Sequence, residues 1–187
     1  MTTLFNADTS DGLKITSDTS GLIEFQSAGV TKAGVNATGL TGDGSQLTGI
    51  SGGKFLQVVQ TTYATSIATT SASYIDTGLT GSISVTSGNK VLVLGVVNAV
   101  GPTATLTGTT IGLFRGATEI TKPAEYAGYN TSSTNHTQPV PIDWLDSSPG
   151  SGTVTYTLKF YRRSGSGDAR VQVDSAMSRL ILIEVAA

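Results

Sequence analysis

The chain has 187 residues, with 11 Lys/Arg against 13 Asp/Glu, one His, no Cys and a formal net charge of -2. No disulfide framework and no thiolate metal site can be built from it, and the near-neutral balance gives no electrostatic footprint for nucleic acid. Thirty Thr, 21 Ser and 23 Gly favour short strands and tight turns over helices, so the composition predicts an all-β fold.

In chain order, Met1 to Asn6 lacks the basic and apolar regions of a signal peptide, and no 18-residue apolar run follows that would span a membrane, so no membrane association is expected. Leu13-Lys-Ile-Thr16 and Leu22-Ile-Glu-Phe-Gln26 flank the turn formers 17–21 and predict a hairpin. Gly29, Gly34, Gly39, Gly44 and Gly49 then recur every five residues, and four of them precede an apolar residue: Val30, Val35, Leu40 and Ile50. Leu47 adds another aliphatic side chain to this stretch. A period of five matches neither strand alternation nor the helical 3.6. It reads either as a flexible linker or, preferably, as an extended strand wound with identical copies, with Val30, Val35, Leu40, Leu47 and Ile50 as trimer or anchor packing candidates.

Composition changes at Ser51-Gly-Gly53, which sets an N-terminal β arm, 1–53, before a larger domain, 54–187. The arm carries two Lys and five acids, whereas the remainder carries nine Lys/Arg and eight acids. Strands are expected at about 55–61, 63–69, 73–77, 79–86, 90–100, 110–116, 153–163, 169–174 and 178–185. In the segment from Thr153, residues Val154, Tyr156, Leu158 and Phe160 alternate with Thr155, Thr157, Lys159 and Tyr161, the pattern of a strand with one wet face. Val91 to Val97 is apolar on both faces, and so belongs at a sheet centre or under a second cover such as a neighbouring subunit; Arg179 to Val185 behaves similarly. The sum is an antiparallel jelly-roll-like β-sandwich. The stretch 121–152 holds four of the five prolines and is expected to be an ordered irregular loop.

Chemistry is sparse. His136 is the only imidazole, there is no Gly-x-Ser-x-Gly elbow, and no P-loop pattern leads into a helix, so the chain is read as non-enzymatic and without cofactor. One His and no Cys leave no nitrogen or sulfur metal site. Asp143 and Asp146 are read as turn and strand-capping residues in preference to calcium ligands. Tyr126, Tyr129 and Trp144 are aromatic and near polar side chains, which makes them receptor or glycan contact candidates; the preferred alternative is that they plug the end of the sandwich or a subunit seam. Arg162, Arg163 and Arg170 flank Ser164 to Asp168 and form a basic hairpin tip, read as a solvated turn ahead of a contact with an acidic partner.

The segment Gly39-Leu-Thr-Gly-Asp-Gly-Ser-Gln-Leu-Thr-Gly-Ile50, with the preceding Leu13 to Val30, resembles N-terminal regions of virion proteins from tailed phages, especially marine and cyanobacterial ones. The successive blocks Val58-Val-Gln-Thr-Thr62, Ser73 to Leu79, Asn89-Lys-Val-Leu-Val93 and Leu113-Phe-Arg-Gly116 are similar to β-sandwich modules of the same group. This resemblance implies a homotrimeric virion structural protein, assembled in the host cytoplasm and exposed on the particle. The leading expectation is a capsid decoration (cement) protein that binds the major capsid protein through its N-terminal arm and stabilises the head. The alternative is a short tail fibre or spike subunit, with a tail adaptor protein and a host surface glycan as partners.

Overall fold

A computed structural model describes residues 23–27, 30–36, 39–42, 54–132 and 134–187. The chain divides into two compact units, 1–51 and 52–187. In the first, β1 (Ile23–Ser27), β2 (Val30–Asn36) and β3 (Gly39–Gly42) form an antiparallel meander in the order β1-β2-β3. Val35 lies opposite both Ile23 and Leu40, so both edges of β2 are taken by strands of the same chain. The Gly-Val and Gly-Leu repeats thus begin or occupy strands here. Leu13 to Thr16, Leu47 and Ile50 lie outside the described residues.

The second unit contains β4 (Phe55–Tyr63), β5 (Ile67–Thr69), β6 (Ile75–Val85), β7 (Lys90–Pro102), β8 (Gly108–Arg115), β9 (Thr118–Ala127), β10 (Gln138–Asp146), β11 (Gly152–Ser164), β12 (Ala169–Val171) and β13 (Ser178–Val185). One sheet runs β4-β13-β7, with β10 and the short β12-β5 pair both attached to β7; the other runs β6-β11-β8-β9. All the pairings are antiparallel.

The logic of the order is a folded ribbon. Setting aside β5 and β12, the first long strand pairs with the last (β4 with β13), the second with the second last (β6 with β11), and then β7 with β10 and β8 with β9. Rolling that ribbon brings β13 beside β7 and β11 beside β8, which closes two four-stranded sheets over one core. This is the eight-stranded jelly roll expected from the sequence. The core is filled by Leu79, Ile83, Tyr156, Leu158 and Phe160 from one sheet and by Val91, Val93, Leu180 and Leu182 from the other. β11 shows why: its even-numbered apolar residues 154–160 are buried and the intervening ones are not.

Two differences from the sequence reading have physical causes. The strands expected at 73–77 and 79–86 are one bent strand, β6. Its bend is at Gly78, where φ is +81° and the ring of Tyr63 occupies the place of a side chain. Thr77 repairs the ladder there, its Oγ1 donating to the Leu158 carbonyl at 2.8 Å and accepting from the Leu79 amide at 3.1 Å. The stretch 121–152, expected to be a loop, instead contains most of β9 and all of β10. Each pairs on one side only, so both are sheet-edge strands, where a proline can sit without breaking a ladder bond on its free side. Pro123 lies in β9 and Pro139 and Pro141 lie in β10, and the ladders beside them carry register shifts.

Candidate functional site

Buried charged groups hold the sandwich together. Asp146, at the end of β10, accepts hydrogen bonds from Arg115 Nη1 at 2.8 and 2.7 Å, from the Tyr156 hydroxyl at 2.8 Å and from the Ser148 amide at 3.2 Å. Burial, together with the bond to Asp146, holds the Tyr156 hydroxyl far above its ordinary value, so it stays protonated and donating. The cluster ties the edge strand β10 to β8 and β11 of the opposite sheet, which fits the capping role expected of Asp146. Asp143 points outward and is exposed. Glu184, on β13, accepts from the Asn89 side chain and the Thr86 amide, each at 2.7 Å; these bonds hold its carboxyl below the ordinary value of 4.5 and lock the β6–β7 turn. Among the described residues no three His, Cys, Asp or Glu side chains gather as a metal would need, and His136 is exposed.

Two surfaces stand apart from this framework. The first is the outer face of β4-β13-β7-β10. Because Val91, Val93, Leu180 and Leu182 point inward, their neighbours along the strands point outward. The register then places Val58, Ile183, Leu92 and Leu145 in one row across all four strands. The next rows are Gln60, Ile181, Leu94 and Asp143, then Thr62, Arg179, Val96 and Pro141. Val58 is 61% exposed, Leu56 on the same strand 54% and Leu145 48%.

The second surface is an open cleft of ≈ 440 Å³ lined by Leu106, Tyr126, Tyr129 and Ser164. Tyr126 and Tyr129 meet edge to face with ring centroids 5.7 Å apart, and the Arg163 guanidinium lies 5.5 Å from the Tyr126 ring centroid. Tyr126 can lie flat here because Gly108 beneath it has no side chain; a Cβ there would be 2.8 Å from the ring. Leu106 has φ +59°, is half exposed, donates its amide to the Asn130 carbonyl at 2.7 Å and accepts from the Ser164 hydroxyl at 3.2 Å.

Of the three aromatic contact candidates, the structure brings together Tyr126 and Tyr129. Trp144 is elsewhere: on β10 it lies opposite Val93, two residues from Asp146, which is bonded to Arg115 at the other end of β8 from Gly108. It is 39% exposed at this sheet edge. The basic hairpin tip supplies Ser164 to the wall of the tyrosine cleft and places Arg163 over the Tyr126 ring. Arg170 instead donates to the Pro102 carbonyl and the Asn135 side chain, both at 2.9 Å. Leu106 carried no sequence signal, since its conformation is what sets it apart.

No known protein-family model matches the chain, and no curated protein matches it in sequence. Among solved structures, the VP2 subviral particle of infectious bursal disease virus is similar with 10% identity and a TM-score of 0.47, over 70% of this chain and 32% of that one. The structure of the Gt strain of the same virus aligns with 12% identity and a TM-score of 0.42, over 70% of this chain and 38% of that one. This chain therefore spans about a third of the length of these neighbours.

Proposed function

We propose that the protein is a non-enzymatic virion structural protein, a homotrimeric decoration (cement) protein that docks on the major capsid protein through residues 1–53 and stiffens the shell. The observation that carries this reading is the aliphatic outer face of β4-β13-β7-β10. Four strands about 4.8 Å apart and eight residues long at about 3.4 Å per residue offer roughly 500 Å². Covering this face with an equal area of a neighbouring molecule would remove about 1,000 Å² from water, the lower bound for a specific interface. The face carries Arg179 and Asp143, one charge of each sign, in addition to Lys90 at its end, so another copy of the chain is a chemically matched occupant. Trimeric symmetry and placement on a tailed-phage particle come from the sequence resemblance.

The test is copy number in purified particles, by quantitative mass spectrometry against the major capsid protein. Hundreds of copies, and heat- or osmotically fragile particles when the protein is missing, are the expected result. Particles that lack the protein yet withstand both treatments like wild type would end the cement role. The second reading, a short tail fibre or spike that binds a host surface glycan, is favoured by the convergence of Tyr126 and Tyr129 in one cleft. Copy numbers of a few tens or fewer would select it.

A further inference from the structure

We infer that the cleft of Leu106, Tyr126, Tyr129 and Ser164 binds an anionic saccharide, a sugar ring seated against the two tyrosines and its carboxylate or sulfate met by Arg163. Three independent observations converge on it. Leu106 adopts a left-handed conformation that costs a residue with a side chain about 1 kcal/mol, and half of that apolar side chain faces water. Hydrogen bonds to Asn130 and from Ser164 nevertheless fix the residue at the wall of the cleft, where a ligand's apolar face would cover it.

The tyrosines are the second observation. Their edge-to-face contact makes a corner with 50% of Tyr126 and 45% of Tyr129 exposed, a stacking surface for the C–H face of a pyranose with hydroxyl groups at its rim. The third is charge. Arg163 is exposed, lies over Tyr126 at the margin of the cleft and forms no ion pair among the described residues; Tyr126 and the nearby Glu125 carboxylate both act on its guanidinium, so a ligand anion would share it with them. A volume of ≈ 440 Å³ lies within the range of small-ligand sites and fits one or two sugar units. By contrast, a second open cleft, between Ser87–Asn89 and residues 147–151, offers neither aromatic nor charged side chains.

This inference rests on the glycan-binding reading but is tested on the full chain in solution, without particles. A chain that binds an acidic sugar yet occurs in hundreds of copies would refute the tail location alone. The experiment is titration, followed by NMR and calorimetry, with trigalacturonate, a heparin tetrasaccharide, neutral maltotriose and an oligothymidylate. The two acidic sugars separate carboxylate from sulfate as the anion. At least one should bind with a dissociation constant of about 1 mM or tighter, maltotriose about tenfold or more weakly. Arg163→Gln should erase that preference, and Tyr129→Ala should weaken binding about tenfold. Leu106→Gly relieves the backbone, so it should lower affinity while leaving the thermal midpoint unchanged or raised. The inference is overturned if no acidic sugar binds, if maltotriose binds equally well and Arg163→Gln changes nothing, if Tyr129→Ala binds normally, or if the oligothymidylate is preferred.

Discussion

The sandwich has two outer faces, and they treat water in opposite ways. On β6 and β11 the outward residues are Asp76, Thr80, Ser82, Ser84, Thr153, Thr155, Thr157 and Lys159, and hydroxyl pairs bridge the strands, Thr80 to Thr157 at 3.1 Å and Ser82 to Thr155 at 2.8 Å. Where that sheet turns aromatic, at Phe114 and Tyr161, the chain folds a side chain over it. The ring of Tyr74 packs edge-on against both at 4.9 and 4.8 Å, resting on Gly112. Lys159 completes the cover, 5.1 Å above Phe114 and paired with Asp76 at 3.1 Å. On the other sheet nothing among the described residues performs that service for Val58, Ile183, Leu92 and Leu145. The chain can cover an apolar outer face, and it does so on one side only. The open face is thus suited to a protein partner, and its aliphatic rows are the opposite of what solvation selects.

The largest expected effect follows from breaking that contrast. Val58→Lys with Leu145→Lys places a charge at each end of the aliphatic row, where both side chains are already half exposed, so the monomer should fold. Self-association measured by sedimentation should disappear, a loss of about 2 kcal/mol or more per desolvated ammonium. Thr80→Lys with Ser82→Lys on the polar face should leave both association and stability within about 0.5 kcal/mol of wild type. Equal effects from the two pairs, or a monomeric wild type at millimolar concentration, would remove the distinction between the faces.

A smaller effect is expected from Asp146→Ala. It removes the acceptor of the buried Tyr156 hydroxyl and leaves the partly exposed Arg115 with the Ser148 carbonyl, which should cost about 2 kcal/mol and lower the melting midpoint by roughly 6 °C. Since Asp146 anchors the strand that carries Leu145, association should weaken as well, whereas Tyr156→Phe should spare it. The smallest is a pH effect. The Glu184 carboxyl is depressed in the fold, so its contribution is present above the unfolded value near 4.5 and is lost as pH falls through the lower folded value. Denaturant titrations from pH 6 to 2 should show a flatter decline in Glu184→Gln than in wild type. Because Glu184 faces inward, association at pH 6 should not change.

Much of this contrast was legible in the sequence, for a simple reason: strand periodicity survives translation into burial. The alternation from Val154 to Phe160 shows the wet face of β11, and the apolar runs at Val91–Val97 and Leu180–Ile183 announce sheet strands that need covers on both sides. The edge strands were hidden because Pro123, Pro139 and Pro141 were read as loop formers, although an edge tolerates what a centre does not. Local sequence could place Tyr126 and Tyr129 together but wrongly grouped Trp144 with them, since separation along a strand pair depends on register. The union of the tyrosines with Arg163 and Ser164 joins segments some 35 residues apart, and only the rolled ribbon brings them together. The φ angle of Leu106 leaves no trace in residue type.

The nesting of the ribbon also favours, by loop-closure entropy, one order of pairing over others. The β8–β9 hairpin joins neighbours in sequence, and each later pair, β7 with β10, β6 with β11 and β4 with β13, closes a loop already shortened by the pair inside it, which keeps the entropy of each closure small. The outermost pair of the nest includes β13, whose inner side completes the core and whose outer side contributes Ile181 and Ile183 to the aliphatic rows. The surface that copies of the chain would share is therefore incomplete until β13 is in place, and a half-made sandwich has nothing complete to associate through.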